Sequence, residues 1–277
     1  MIWVAALALL ALALLVYGLW EAGWLRTRVL EVEIEGLPSG LDGFRIAHLS
    51  DFHLGPPSRG RVATERAVAW VASRKPDLAC ITGDLVSNPR GVPLLRRLVG
   101  MLDHPYVVLG NHDVAVTRDP FSRAAELEGL DGISTLLRAD AAMVERAGCR
   151  IQIVGTDAEA YPRGTARPWE LVDSTADLRI LLCHFPGVDR RLPAGAFHLV
   201  LAGHLHAGQI ALPSPWGRIT LAHPRARFVA GLYPAAGGVM HVSAGTGTTF
   251  VPIRFFARPE VTELVLRVPG ARLQQSA

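Results

Sequence analysis

Five short apolar runs punctuate the chain, and each breaks at the same kind of residue. Tyr106–Leu109 stops at Gly110-Asn111-His112-Asp113, and Phe44–Leu49 runs into Ser50-Asp51-Phe52-His53. Leu78–Ile81 leads to Gly83-Asp84, Ile180–Cys183 to His184, and Leu199–Ala202 to Gly203-His204-Leu205-His206. Short continuous apolar runs bounded by Gly read as strands buried on both faces. In such sheets functional groups collect beyond the carboxyl ends of the strands. The pattern therefore predicts that Asp51, His53, Asp84, Asn111, His112, His184, His204 and His206 reach one edge.

Other segments carry different periods. Val29–Gly36 alternates Val29, Glu31, Glu33, Glu35 against Leu30, Val32, Ile34, which predicts a half-buried strand at a sheet edge. Ala63, Ala67, Trp70 and Val71 share one helix face, with Ser58 ahead of it as a cap and Pro76 ending it. A helix is expected near Pro93–Leu102. A short one is expected from Asp119-Pro120, as N-cap and N1, through Leu130. Ile133–Val154 reads as short strands, Tyr161–Trp169 as a loop, and Gln209–Leu221 as strand, turn, strand. Gly237–Ser243 and Val261–Val268 are late strands. Alternating strands and helices followed by a strand-rich half predict an α/β fold of two sheets packed face to face, with helices outside.

Ile2–Trp20 lacks any charge, and about 20 such residues suffice to cross a bilayer. Trp3, Tyr17, Trp20 and Trp24 lie near its ends, where aromatic belts form. A cleaved signal peptide needs a basic leader and a small-residue cleavage site, and neither is present. The reading is an anchor over residues 1–24 and one domain over 25–277. Arg26 and Arg28 after the helix place that domain in the cytoplasm, on a single-pass chain of the inner membrane. About ten residues between Trp20 and Leu30 would tether it within roughly 35 Å of the bilayer.

Net charge is +3, which gives little attraction for nucleic acid. Lys75 is the only lysine, so the positive charge is carried by Arg, which suits phosphate but also follows from a coding bias. Cys80, Cys149 and Cys183 form an odd, unpatterned set, against a disulfide framework and for a reducing compartment.

Carboxylate, amide oxygen and imidazole are ligands for divalent first-row metals. Asp-x-His, Gly-Asp, Gly-Asn-His-Asp, a lone His and Gly-His-x-His, in this order from Asp51 to His206, resemble the calcineurin-like metallophosphoesterase superfamily. The stretch Pro252–Glu260 and the extended Gly-His-Leu-His-Ala-Gly-Gln are similar to its membrane-anchored bacterial branch of YaeI- and YkuE-like phosphodiesterases.

That resemblance implies a four-layer α/β/β/α sandwich of two mixed sheets. It also implies two divalent transition-metal ions, manganese foremost, with iron, zinc or nickel as alternatives. Asp84 would bridge the metals. Asp51, His53 and His206 would complete one ligand set, and Asn111, His184 and His204 the other. Two carboxylates against two divalent cations leave about +2, a site that attracts phosphate. His112 would assist the leaving group, with Asp113 to orient it. Ser87 stands where some phosphatases carry an orienting Asp. His48, His104, His198, His223 and His241 match no block and read as structural. Gly83, Gly110 and Gly203 read chiefly as turn formers. Arg118, Arg123, Arg163 and Arg167 read as solvated surface near the site mouth.

The expected activity is hydrolysis of a phosphodiester or pyrophosphate, with a lipid-linked substrate such as UDP-2,3-diacylglucosamine. The rim would come from Thr117–Phe121, Tyr161–Trp169 and Pro213–Trp216. A broad phosphodiesterase of soluble substrates and a non-catalytic metal-binding scaffold are the alternatives. No ligand position is lost, which favours an enzyme. No protein partner or nucleic acid is expected.

Overall fold

A computed structural model describes residues 1–127, 130–214, 217–222, 224–236 and 238–270. Helix α1 (Ile2–Glu21) is built from Ala, Leu and Val with no proline. Strands β1 (Arg26–Glu33), β2 (Arg45–Leu49), β3 (Leu78–Thr82), β4 (Tyr106–Val108), β5 (Thr135–Leu136) and β14 (Glu260–Arg267) form one sheet, in the order β1-β14-β2-β3-β4-β5. The other sheet is ordered β12-β13-β9-β8-β7-β6, from β6 (Ala141–Arg146), β7 (Cys149–Gly155), β8 (Leu178–Leu182), β9 (Leu199–Ala202), β12 (Gly231–Ala235) and β13 (Gly238–Val242). The remaining pair, β10 (Ala211–Ser214) and β11 (Gly217–Thr220), makes a separate hairpin.

Successive side chains of a strand point to opposite faces, and the apolar runs use both. Ile46, Leu78 and Cys80 meet Ile151, Ile153, Leu178, Ile180, Leu199 and Leu201 in the core between the sheets. Ala47, Leu49, Ala79 and Ile81 point outward, under α2 (Gly60–Arg74) and α3 (Val92–Val99), where Ala67, Val68, Leu95 and Leu98 cover them. On the far side, Leu181, Val200 and Met240 are covered by Phe185, Val188 and Phe197. This fourth layer is made of short 3-10 turns, Pro168–Leu171 and Pro186–Arg191, and loops among the described residues.

One expectation needs correction, and one junction is tighter than a free tether. No helix runs over residues 119–127. The Asp119 carboxylate instead accepts the Phe121 N–H at 2.9 Å and, with its other oxygen, the Phe250 N–H and Thr249 hydroxyl at 3.0 Å. Side-chain bonding to a nearby backbone donor competes with helix formation, and here it ties two loops together. Nor is there slack between α1 and the domain. Gly18, Glu21 and Ala22 are buried. The Glu21 carboxylate accepts the N–H groups of Phe256 (3.0 Å) and Ala257 (2.8 Å), and the Gly18 carbonyl accepts the Arg254 N–H. The end of α1 is therefore bonded to the segment 254–257.

Topology fixes where this junction lies. β1 runs parallel to β14, and β14 antiparallel to β2. The start of β1, and with it the end of α1, thus falls at the edge where β2, β3 and β4 end.

Candidate metal centre

Each of the expected donors comes from a loop at that edge. Asp51 and His53 follow β2, Asp84 follows β3, and Asn111 and His112 follow β4. His184 follows β8, and His204 and His206 follow β9, so both sheets contribute. Asp51, His53, Asp84 and His206 offer ligand atoms within 4.8 Å of one another, as do Asp84, His184 and His204. Asp84 belongs to both groups. Its Oδ2 lies 3.4 Å from His53 Nε2 and 3.2 Å from His184 Nε2. His206 Nε2 is 3.3 Å from Asp51 Oδ1 and 3.1 Å from His53 Nε2. Asn111 Oδ1 and His204 Nδ1 each stand 3.1 Å from His184 Nε2. Two carboxylates and four imidazoles aiming their lone-pair atoms at each other in a buried space fit the chemistry of a dinuclear metal site.

The partners of the far ring atoms support that fit. His184 Nδ1 donates to the Thr82 carbonyl at 2.8 Å, and a carbonyl only accepts. Nδ1 therefore carries a proton, and Nε2 is the atom presented to Asp84. His53 Nδ1 pairs with the Ser87 hydroxyl at 2.9 Å, so Ser87 serves a donor histidine. Burial opposes protonation of His184, but Asp84 and Asp51 outweigh it and lift its pKa to about 9. Burial and the neighbouring His184 push His204 down to about 3. For Asp84, burial raises the pKa, yet His184 and His112 hold it well below the ordinary carboxylate range.

The loops that carry these groups are strained. Asp51, His53, Asp84, His204 and His206 all have φ between 45° and 76°. Such conformations cost about 1–3 kcal/mol each and persist where surrounding bonds over-determine them. The carboxylates supply such bonds: Asp84 Oδ1 accepts the His112 N–H at 2.8 Å, and Asp51 accepts the His204 N–H at 3.0 Å. This closeness also corrects the reading of two glycines. Gly110 and Gly203 are absent from the positive-φ positions. A Cβ at Gly110 would strike the Asp84 carboxylate, and one at Gly203 the side chains of Ser50 and Asp51. Gly83, at φ 84°, does form a turn.

Asp113 also needs correction. It does not touch the His112 ring. Its carboxylate accepts the backbone N–H groups of Leu85 (2.9 Å), Val86 (3.2 Å) and Gly110 (2.9 Å), pinning the Asp84 loop to the Asn111 loop. Burial and then Asp84 raise its pKa to about 7. His112 is held by Ser122 Oγ at 3.0 Å on Nδ1 and by Thr117 Oγ1 at 3.2 Å on Nε2, and Nε2 lies 4.0 Å from Asp84 Oδ2. Neither hydroxyl stands in a recognisable motif: Thr117 opens the expected rim segment Thr117–Phe121, and Ser122 falls just beyond it.

Arg254 was missed as well. It is fully buried and donates to the carbonyls of Ala244, Gly247, Ala257 and His206. Nη2 spends its hydrogens on Ala244 (2.9 Å) and Gly247 (2.6 Å), leaving the 3.3 Å approach to His206 Nδ1 as packing. Its only trace in the sequence is a charge within the apolar stretch Pro252–Phe256.

Other candidates fall into lesser places. Arg123 and Arg167 bond to nearby carbonyls, and Arg163 pairs with Glu159. His48 and His241 meet at 2.7 Å between the sheets, behind the site. His223 and residues 215–216 lie outside the described residues. The Tyr161–Trp169 loop stacks Tyr161 on Phe185, next to His184. All three cysteines are free and buried.

A family profile, Calcineurin-like phosphoesterase, matches residues 44–208. The chain is 30% identical to the uncharacterized metallophosphoesterase YkuE of Bacillus subtilis, over 83% of this chain and 82% of that one. It is 26% identical to the phosphodiesterase YaeI of Escherichia coli, over 89% and 90%. A transmembrane protein with metallophosphoesterase domain from Danio rerio is 34% identical over 94% of this chain, which spans 62% of that longer protein.

Proposed function

The chain belongs to the calcineurin-like phosphoesterase family, and from that premise we propose a membrane-anchored dinuclear-metal phosphodiesterase or pyrophosphatase. Family and relatives make it a metal-dependent phosphoesterase. The apolar helix and the transmembrane relatives suggest membrane association. The observation that carries the dinuclear reading is the sharing of Asp84 between two donor groups.

Asp51, His53, Asp84 and His206 would hold one metal, and Asp84, Asn111, His184 and His204 the other. When bound, such a pair polarises the phosphoryl group and stabilises the charge of an in-line displacement. The protein's own groups do the rest. When the His112 ring is protonated, Nδ1–H donates to Ser122 Oγ and Nε2–H to Thr117 Oγ1, which hold it in place. As an imidazolium, His112 can give the Nε2 proton to the departing oxygen and remain a neutral imidazole with its proton on Nδ1, a role worth roughly 10²–10⁴-fold in rate. Asp113 keeps the two loops in register.

The substrate is an amphipathic phosphodiester or pyrophosphate, lipid-linked, on the cytoplasmic face. Support comes from a cavity of about 380 Å³ beside the donors. His204 and His206 line it together with Leu205, Ile210, Leu221, Phe250 and Val251. Manganese is the expected metal. The test offers the purified full chain, loaded with Mn²⁺ in detergent, a phosphomonoester, a soluble phosphodiester and UDP-2,3-diacylglucosamine side by side. Fastest turnover of the lipid supports the reading. An enzyme that prefers small monoesters and ignores the lipid refutes it.

A further inference from the structure

The junction between α1 and the domain fixes how the metal centre meets the bilayer. The uncharged run reaches Trp20, but the domain grips it earlier, at Tyr17 and Gly18. Tyr17 packs on Phe255 and Phe256, with ring centroids 5.6 and 6.3 Å away. A Cβ on Gly18 would collide with Phe255 and Ile253, so the helix lies flush on this segment. Contact thus begins inside the apolar run rather than beyond it. Glu21, the first charge after the run, is buried and bonded to backbone. Arg258 stacks over Trp24 at 3.7 Å, an arrangement suited to the headgroup level.

Around this grip the surface is apolar and solvent-facing. Phe250, Val251, Phe256, Leu212, Ile219 and Leu221 are each between 41% and 56% exposed. Leu212 and Ile219 are opposite one another across the β10–β11 hairpin, so they share one face. Hairpin and turn are one body with the grip: Phe255 exchanges backbone bonds with Gln209 and Ala211, and Gln209 holds the 249–251 turn through its side chain. Residues 209–214 and 249–253 carry no charge. An exposed apolar patch continuous with an apolar helix marks a membrane contact.

We propose that the rim formed by the β10–β11 hairpin and the 249–256 turn inserts into the same bilayer leaflet that α1 enters, so the metal centre opens onto the lipid rather than onto bulk water. The occupant of the rim is the lipid surface itself. The cavity beside His204 and His206 shares Leu221, Phe250 and Val251 with this rim, so its mouth sits at the headgroup plane. The proposal rests on the anchoring reading alone and holds whatever phosphoester is cleaved.

The experiment uses the full chain in nanodiscs of phosphatidylcholine with phosphatidylglycerol. Ile219→Cys, Phe250→Cys and, as control, Met101→Cys each take a nitroxide label, the native cysteines being buried. Met101 is exposed and precedes β4, at the opposite sheet edge. The rim labels should meet dissolved oxygen more readily than a water-soluble nickel chelate, and Met101 the reverse. Rim labels as open to nickel as Met101 would overturn the proposal. So would shielding that needs no lipid and grows with protein concentration, which would assign the rim to a second copy. As a further arm, Leu212→Asp with Ile219→Asp should slow cleavage of a vesicle-embedded phosphodiester about tenfold. Turnover of a soluble diester should stay unchanged. Equal turnover of the vesicle substrate by variant and parent would count against insertion. The label measurement needs no turnover, so it stands even if the substrate assignment fails.

Discussion

The two halves of the donor cluster are braced in different ways. Asp51, His53 and His206 are entirely buried, and the loop of His206 is held by Arg254 through carbonyls of three loops. Arg254 is in turn bonded through its backbone to Gly18 of the apolar helix. Asn111, His184 and His204 depend instead on the strands: His184 is fixed by the Thr82 carbonyl at the end of β3, and His204 is half-buried at the mouth. One half is thus tied to the apolar helix α1 and the other to the sheet core. Asp84 alone belongs to both. A disturbance at the helix should reach the first half and spare the second.

Substitutions can separate the halves. Asp84→Asn should have the largest effect, emptying both metal positions and abolishing turnover, because a neutral amide bridges weakly; elemental analysis beside a rate measurement checks this. His204→Ala should empty only the strand-braced half, while His112→Ala keeps both metals and lowers kcat roughly 10²–10⁴-fold. If His112→Ala emptied a position and His204→Ala left both full, the assignments would be reversed. Arg254→Met strips several buried carbonyls of their donor at about 1–3 kcal/mol each. The measured loss should come to roughly 3–5 kcal/mol in denaturant unfolding, with weaker metal retention at the His206 half and the His184 half less affected. Equal weakening of both halves would contradict the asymmetry. Glu21→Gln should be the mildest, about 1–2 kcal/mol, since one amide oxygen replaces a carboxylate that serves two N–H groups.

The residues with strong local signatures were legible. An apolar run stopping at Gly, Asp or His states both a strand and what its end presents, and the sheets deliver those groups together. The alternation in Val29–Gly36 likewise led to an edge strand, found as β1. What stayed hidden depends on partners far apart in sequence. Asp113 looks like an orienting acid beside His112, yet its carboxylate reaches Leu85 and Val86, some thirty residues earlier. Asp119-Pro120 has the chemistry of a helix start, but Thr249 and Phe250 claim the carboxylate. Glu21 looks like a polar flank of the membrane segment, and only the 254–257 segment, over two hundred residues later, gives it a use. Local pattern encodes strands and their ends; it does not encode which distant loop satisfies a lone carboxylate.

The central claim is that one carboxylate joins two metal positions. Titrating metal-free, full-length protein with Mn²⁺ while counting bound ions tests it most directly. The account predicts two ions per chain in the parent and none retained by Asp84→Asn. An active parent that saturates at one ion, or an Asp84→Asn variant that still holds two, would contradict it.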